Sequence, residues 1–403
     1  MLKRLRNIRS IVAVSIVLAA PLAHSQKNYD PGVSDTEIRL GQTTPYSGPL
    51  SAYGTFGRAG VAYFNKINAE GGVNGRKLTL LTVDDGFSPP KTVEQTRKLI
   101  ERDEVFFMFA PVGTATNLAV QKYLNAKKVP QLFLQSGIPH WNDPVNFPYS
   151  MSGLPNYGTE VKAFTKYILA NKPDARVAIL YQNDDFGKEY LKGLKENLGA
   201  AAEKTVVGVA SFELTDPTVT SQVISLQASG ANVFLIAATQ KQTAQALRQA
   251  YDMGWRPLTL IAFPAVSIGR TFIPAGIEAS KGIIASSVFV DPSDPARRDD
   301  PDYRAYAAFM DKYYPEGDKF DGLNVAAFVE GQLVVEVLRR CGNTLTRENV
   351  MKQASNLKGV KAAMLMHGVT VNTSPTSYNM FKVVQPVTFN GKFMAPIGGL
   401  VGD

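Results

Sequence analysis

The chain has 403 residues, of which 45% are hydrophobic and 19% charged, and its formal net charge at pH 7 is +8. This apolar fraction is typical of a globular protein and excludes a mainly disordered, collagenous or coiled-coil chain. The length exceeds what one hydrophobic core usually serves, so we expect two domains. The single cysteine, Cys341, excludes an intramolecular disulfide and a multi-thiolate metal site.

The N-terminus has the three regions of a secretory signal peptide. Four basic residues precede the apolar run Ile11–Ala20, and Ala23-His24-Ser25 offers small residues where a signal peptidase cleaves. The run is shorter than the ~20 residues that a membrane-spanning helix needs. We therefore predict residues 1–25 to be a signal peptide and the mature protein to be periplasmic. Cleavage after Ser25 would lower the net charge from +8 to +4, so we expect neither a nucleic-acid partner nor stable membrane insertion.

Short apolar runs then alternate with segments of helical spacing. Strands are predicted at 38–43, 77–83, 105–109 and 131–134, and helices at 52–68, 92–102 and 117–126. The alternation restarts with helices at 161–169, 187–197, 215–226 and 242–253, and strands at 176–181, 205–210, 232–236 and 258–263. Strands separated by helices of this length indicate βαβ units and parallel sheets, so the fold class is α/β.

The last part of the chain is less regular. After a loop rich in charge and proline, helices are predicted at 303–313, 323–339 and 348–355, and antiparallel strands at 378–384 and 387–389, with Asn390-Gly391 as a hairpin turn. Irregular junctions near 150–155, 285–291 and 369–375 divide the chain into two lobes. Lobe I would comprise 26–152 and 288–370, and lobe II 153–287 and 371–403. Lobes joined by several crossings commonly enclose a ligand between them.

Few residues could support catalysis. The mature chain has two histidines, His140 and His367, without the spacing of a metal site. It has no G-x-S-x-G elbow and no P-loop, and the glycines within 54–60 follow a G-x-x-G-x-x-G spacing instead of the dinucleotide fingerprint. Asp84-Asp85 could be an acid/base pair, but such pairs more often accept hydrogen bonds from a neighbouring loop. We predict no enzyme, no cofactor and no metal; an enzyme or a ligand-sensing subunit on the same fold is the alternative of another class.

The loops after the predicted strands are rich in glycine and hydroxyl groups. Ligands of open α/β sheets gather outside the carboxyl ends of the strands. Gly113-Thr114 enters a helix after one strand, and Gln135-Ser136-Gly137 follows the next. Free N–H groups at a helix N-terminus beside hydroxyl groups suit a carboxylate, although N-capping alone would explain the threonine.

Aromatic residues in the corresponding loops could form the wall of an apolar pocket. Tyr46 and Tyr53 follow the first strand and Phe186 follows a strand of lobe II, although core packing would explain each of them equally well. Thr239 lies in a further loop of lobe II. The candidate ligand-binding residues are Tyr46, Tyr53, Gly113, Thr114, Gln135, Ser136, Gly137, Phe186 and Thr239.

Five segments carry a family resemblance by their order and spacing: Tyr46-Ser47-Gly48-Pro49, Asn68–Arg76, Asp84-Asp85, Asp185-Phe186-Gly187 and Ala246–Ala250. Together they resemble the type I periplasmic solute-binding proteins of ABC importers, in the leucine/isoleucine/valine-binding branch, from about Ile38 to the C-terminus. The resemblance implies two Rossmann-like lobes joined by a multi-crossover hinge, a cleft ligand without catalysis, and a monomer whose closed form docks onto a membrane permease. It also implies ligand contacts at Gly113, Thr114, Ser136, Gly137, Phe186 and Thr239.

Two departures from the family bear on the ligand. Its branched-chain amino-acid binders place a carboxylate near Pro264 to pair with the ligand's ammonium, and this chain has none in Phe263-Pro264-Ala265. A buried ammonium without a counter-charge is costly, although Asp184 or Asp185 could replace it. The family's frequent lobe I disulfide is impossible, because Phe87 and Val112 occupy its positions. We expect a small carboxylate with an aromatic or aliphatic body, with a branched-chain or other hydrophobic amino acid as the close alternative.

Overall fold

The computed structural model describes residues 28–402, and the predicted signal peptide lies outside them. Strands and helices alternate from residue 28 to residue 152. The strands are β1 (Asn28–Tyr29), β2 (Glu37–Thr44), β3 (Lys77–Asp84), β4 (Phe107–Phe109), β5 (Gln131–Leu134) and β6 (Ser150–Ser152). The helices are α1 (Gly54–Ala69), α2 (Pro89–Arg97) and α3 (Thr114–Ala126). Strands β2 to β6 form a parallel sheet in the order β3-β2-β4-β5-β6, which we call the first sheet.

The alternation continues through a second set of elements. The helices are α4 (Tyr157–Asn171), α5 (Asp185–Leu198), α6 (Ala202–Thr205), α7 (Thr220–Ala228), α8 (Gln240–Asp252), α9 (Ile273–Ala275) and α10 (Ile277–Ser280). The strands are β7 (Val177–Gln182), β8 (Val206–Phe212), β9 (Val233–Ala237), β10 (Leu258–Ile261) and β11 (Ile284–Ser287). These five strands are parallel and form most of the second sheet.

The remaining elements return to both sheets. They are α11 (Pro301–Tyr313), α12 (Gly322–Cys341), β12 (Thr344–Leu345), α13 (Arg347–Ala354), β13 (Val383–Phe389), β14 (Met394–Pro396) and β15 (Val401–Gly402). Strand β13 lies antiparallel to β11 and extends the second sheet to the order β14-β13-β11-β10-β9-β7-β8, with β15 also paired to β13. Strand β12 pairs with β1. No helix between residues 28 and 402 is both long and apolar enough to cross a membrane.

Helix α12 attaches the C-terminal part of the chain to α1, which packs on the first sheet. It packs on α1, where a Cβ atom at Gly331 would lie 2.3 Å from the ring of Tyr63, so the glycine permits the close approach. Tyr63, Phe309 and Phe328 contact one another with ring centroids 5.2–5.7 Å apart, which joins α1, α11 and α12 into one apolar core. This packing is compatible with the predicted lobe boundaries, which stay a prediction.

Packing also explains the regularly spaced glycines of α1. A Cβ atom at Gly57 would lie 2.3 Å from the hydroxyl of Tyr46, and one at Gly54 would lie 2.6 Å from its ring. The Tyr46 hydroxyl is 2.8 Å from that of Thr82 on β3. The glycine spacing therefore makes room for an aromatic ring between α1 and the sheet.

The structure corrects several element boundaries. Strands β6 and β11 were not predicted, because Ser-rich runs of three and four residues carry little strand signal. The helix predicted from residue 215 begins at Thr220. Residues 383–389 form the single strand β13 where strands were predicted at 378–384 and 387–389, because Pro386 pairs opposite Ser286 and does not interrupt the strand. The predicted turn at Asn390-Gly391 is confirmed, and it connects β13 to β14.

Candidate functional site

A cavity of about 150 Å³ lies between the two sheets. Most of its wall comes from loops at the carboxyl ends of the strands in both sheets, as expected for open α/β folds. The first turns of α12 complete it through Gly322, Leu323, Val325 and Ala326. The wall is mostly apolar, and among the described residues it includes no Lys, Arg or His.

The polar end of the cavity lies at the start of α3. The hydroxyls of Thr114 and Ser136 are 2.7 Å apart, and the indole Nε1 of Trp141 donates to Ser136 at 2.8 Å. Because Ser136 already accepts a hydrogen bond from Trp141, its own hydroxyl can donate one to Thr114. The Thr114 hydroxyl and the first-turn N–H groups of α3 are then donors for a ligand.

Gly113 positions this end of the cavity. Its φ of 107° lies in the left-handed region, and a Cβ atom would lie 2.3 Å from the ring of Phe87. Glycine is therefore required both by the backbone conformation and by the close approach of the ring. Phe87 and Val112, where the resemblance places the family's disulfide, are both part of the cavity wall.

Gln135 is held by a buried carboxylate that the sequence analysis missed. Its Nε2 donates to both oxygens of Glu330 at 2.7 Å and to the carbonyl of Phe133 at 2.9 Å. Glu330 is fully buried on α12, and burial raises its pKa well above its usual range. The sequence does contain a signal for this buried carboxylate, because Glu330 lies within the mostly apolar segment Val325–Val335.

A second buried carboxylate lies behind the wall formed by the second sheet. Glu160 on α4 accepts hydrogen bonds from the hydroxyls of Tyr190 and Ser286, the latter at 2.7 Å, and from the N–H of Phe263 at 3.3 Å. Desolvation raises the pKa of Glu160 to about 7. Phe186 packs edge-on against Tyr190 on the cavity side, with ring centroids 5.4 Å apart.

Hydrogen bonds cross the cavity and hold the two sheets together. The Tyr53 hydroxyl, just before α1, donates to the carbonyl of Pro264 after β10 at 2.7 Å. Arg270 donates to Thr55 at 2.9 Å and forms an ion pair with Asp321 at 3.0 Å. These contacts join the two walls of the cavity, and moving the walls apart would break them.

Two acidic side chains border the cavity. Asp184 caps α5, accepting from the N–H of Gly187 at 3.1 Å and from Gln182 at 2.5 Å. Asp291 accepts two backbone N–H groups, from Ser293 and Met394, both at 2.8 Å. Burial raises the pKa of both carboxyls, and neither has a basic partner in the cavity wall.

The structure brings together six of the nine candidate residues. The cavity is lined by Tyr53, Gly113, Thr114, Gln135, Phe186 and Thr239. Tyr46 lies outside it, between α1 and β3, because its ring fills the space above the helix glycines. Ser136 lies behind Thr114, and Gly137 packs against Pro155 and Tyr157, where an added Cβ would lie 2.2 Å from the Pro155 carbonyl.

The catalytic alternatives gain no geometric support within residues 28–402. Asp84 accepts hydrogen bonds from Tyr46, Ser47 and Lys91. Burial by itself raises the pKa of Asp84, but the hydrogen bonds outweigh it and lower that pKa below its usual range. The pair Asp84-Asp85 therefore accepts hydrogen bonds that fix the neighbouring loops. His140 contacts Gln121 and does not line the cavity. No group of three or more His, Cys, Asp or Glu side chains in this part of the chain could hold a metal ion.

Comparisons with known proteins agree with this architecture. The profile of the family described as periplasmic binding protein matches residues 37–385. A Leu/Ile/Val-binding protein homologue of Brucella melitensis is 23% identical over 381 residues, covering 91% of this chain and 95% of its own. A branched-chain amino-acid ABC transporter structure from Thermus thermophilus with bound valine has a TM-score of 0.81, 19% identity and coverage of 92% and 98%.

A fatty acid ABC transporter substrate-binding protein from Thermomonospora curvata has a TM-score of 0.74 at 20% identity, covering 94% of this chain and 95% of that one. At such identities the structural matches establish the fold. The family profile covers most of the chain, and the two sheets with their intervening cavity have the corresponding architecture. The chain therefore belongs to the periplasmic binding protein family, as a type I member of the leucine/isoleucine/valine-binding branch.

Proposed function

We propose that this protein is the substrate-binding component of an ABC importer and captures a small carboxylate with an aromatic or aliphatic body. The observation that carries the proposal is the division of the cavity into an apolar wall and one donor-rich end at Thr114. Hydroxyl and N–H donors at a helix N-terminus suit a carboxylate without a cation beside it. The apolar wall suits the hydrocarbon part of the ligand.

The proposal includes the rest of the transport cycle. A membrane permease receives the ligand from the closed, monomeric protein in the periplasm, after cleavage following Ser25. Solute binding without turnover separates this role from an enzyme on the same fold. Loss of solute uptake on deletion of the gene would separate it from a sensing subunit, whose deletion abolishes a response but leaves uptake intact.

A hydrophobic amino acid is the second candidate, and Asp184 and Asp291 favour it. Either carboxylate could pair with the ligand's ammonium and so replace the acidic residue that is missing beside Pro264. Two relatives of this chain are named as Leu/Ile/Val-binding proteins, so their names describe amino-acid binders. The two candidates share the donor-rich end at Thr114 and differ in whether the cavity recognises an amine.

The deciding experiment compares ligands that differ only in the amine. Mature protein is unfolded, stripped of carried-over ligand, refolded, and screened by thermal shift with leucine against 4-methylpentanoate and with phenylalanine against 3-phenylpropanoate. A ligand at 100 times its Kd stabilises the fold by about 2.7 kcal/mol. We expect the amine-free acids to raise the melting temperature. A shift with the amino acids alone would contradict the carboxylate proposal and support the second candidate.

Variants test which residues bind the ligand. Thr114→Val removes the hydroxyl and should weaken binding of the acid by about 1.5–3 kcal/mol, or about ten- to a hundredfold. Thr114→Ser keeps the hydroxyl and serves as the matched control. Asp184→Asn should leave binding of an amine-free acid unchanged and should weaken binding of an amino acid. Unchanged affinity in Thr114→Val would remove Thr114 from the site.

A further inference from the structure

A second hollow adjoins the cavity, and we call it the outer groove. It has a volume of about 520 Å³ and is lined by the loop after β2, by one face of α8 and by the turn at Arg270. Leu50 and Tyr53 line both spaces, so these two side chains separate them. Because Tyr53 bonds across the cavity to Pro264, separating the sheets would also connect the groove with the cavity.

The wall of the outer groove is positively charged. It contains Lys241, Arg248 and Arg270, and among the described residues it contains no Asp or Glu. The acidic partners of the two arginines, at 3.0 Å in each case, lie outside the wall. Lys241 is exposed and has no ion-pair partner within residues 28–402. The groove therefore contains at least one cation, Lys241, that lacks an acidic partner in the described part of the chain and can attract an anion.

Gln240, the first residue of α8, adds buried polar groups without partners. Its side chain is 4% exposed and belongs to the groove wall, and neither its Oε1 nor its Nε2 has a hydrogen-bond partner among the described residues. The Oε1 of Gln245, one turn further along, is also without a partner in this part of the chain. Buried polar groups are rarely left unsatisfied, so these amides offer a donor and two acceptors to a polar ligand in the groove.

We infer that the outer groove is a vestibule that captures the anionic group of the ligand before the two sheets close over it. The inference rests on the proposed function, since it assigns the groove to the ligand of the adjacent cavity. The anion meets Lys241 and Arg248 first and then lies beside Gln240. It passes Tyr53 when the hydrogen bond to Pro264 opens.

This role makes a kinetic prediction. Cations at an opening speed the association of an anion, and salt screens the effect. A unit charge ~8 Å from a passing anion in water changes the encounter rate about two- to threefold, so two charges give about fivefold. Because the vestibule lies outside the closed cavity, its cations do not stabilise the bound state, so they should speed dissociation by the same factor and leave the Kd unchanged.

The test is stopped-flow fluorescence with 4-methylpentanoate as the anionic probe and leucine as the zwitterion. Trp141 is the reporter, because its indole contacts Ser136 behind Thr114, and Trp255→Phe removes the other tryptophan. The groove variant is Lys241→Ala/Arg248→Ala. Lys192→Ala/Lys195→Ala on α5 changes the net charge equally, and neither of these lysines lines the groove.

At about 10 mM salt, where screening is weak, we expect the groove variant to bind 4-methylpentanoate about fivefold more slowly and the control variant to match the wild type. The difference should vanish at high salt, and the dissociation rate of the groove variant should fall by the same factor as its association rate, so that the Kd stays equal in all three proteins. Equal association rates in all three proteins would overturn the vestibule and leave the proposed function intact. Binding of leucine alone, at a salt-independent rate, would overturn the vestibule while preserving solute binding. Binding of neither probe would overturn both the vestibule and the carboxylate ligand.

Discussion

The hydrogen bond from Tyr53 to Pro264 should contribute directly to ligand affinity. The two residues belong to opposite sides of the cavity, and moving the sheets apart would break their 2.7 Å contact. An interaction made only in the closed state adds to the free energy of ligand binding when the free protein is mostly open. Tyr53→Phe removes the hydroxyl while keeping the ring that lines the cavity.

A neutral hydrogen bond contributes about 0.5–1.5 kcal/mol, so the Kd of Tyr53→Phe should rise about two- to thirteenfold. We expect most of the change in the dissociation rate, since closure follows encounter. Isothermal titration calorimetry gives the Kd, and stopped-flow fluorescence separates the rates, with the ligand identified by the thermal-shift screen.

Tyr123→Phe is the matched control for this substitution. Its hydroxyl donates to Glu101 at 2.8 Å on the surface, and Tyr123 does not line the cavity. The control should bind with wild-type affinity. A Kd unchanged in both variants would refute the idea that this hydrogen bond stabilises the closed state. An equal loss in both variants would show that the effect is not specific to the cleft.

Three further substitutions test other parts of the structure. Arg270→Ala leaves the buried Asp321 without its cation and should lower the unfolding free energy by about 1–3 kcal/mol; adding Asp321→Asn should restore part of it, as measured by denaturant unfolding. Gly113→Ala should cost about 2 kcal/mol or more, and clearly more than Gly71→Ala, which has a similar φ but open space around it. The raised pKa of Glu160 means that the folded state holds its proton more tightly than the unfolded state, so this residue stabilises the fold at low pH. The contribution is lost as pH rises from 4.5 to about 7, by about 3 kcal/mol in all, and Glu160→Gln should remove that loss from melting curves recorded across this range.

The donor-rich end of the cavity could be predicted because parallel strands impose it. Thr114 and Ser136 follow neighbouring strands, β4 and β5, and the carboxyl ends of parallel strands meet at one edge of a sheet. A sequence pattern of apolar runs followed by hydroxyl-bearing loops therefore predicts that the two side chains lie close together. The observed 2.7 Å contact confirms this proximity.

The other parts of the site depend on tertiary packing that no local pattern encodes. Glu330 lies 195 residues from Gln135 in the sequence, and the two meet only because α12 packs on α1, beside the loop after β5. Tyr46 shares a loop with Tyr53 and looks equally suited to a pocket. Its ring turns instead towards Gly54 and Gly57, which leave space for it. Side-chain direction in such a loop follows from its neighbours, which the sequence alone does not identify.

The distribution of charge bears directly on how a ligand would be recognised. Cations line the outer groove, whereas the cavity has acidic side chains and, within the described chain, no basic ones. An anion that moves inward therefore exchanges Lys241 and Arg248 for the hydroxyl and N–H donors near Thr114. Such neutral donors bind a carboxylate by geometry more than by net charge, so equilibrium affinity should depend weakly on salt while the association rate depends on it strongly. For an amino acid we expect the reverse. Its association rate should depend weakly on salt, because the zwitterion gains little from the groove, and its affinity should depend on salt more strongly, because its ammonium can pair with Asp184. Salt dependence of rate and of affinity, measured together on the two probe ligands, thus distinguishes an anionic ligand class from a zwitterionic one even before the natural ligand is identified.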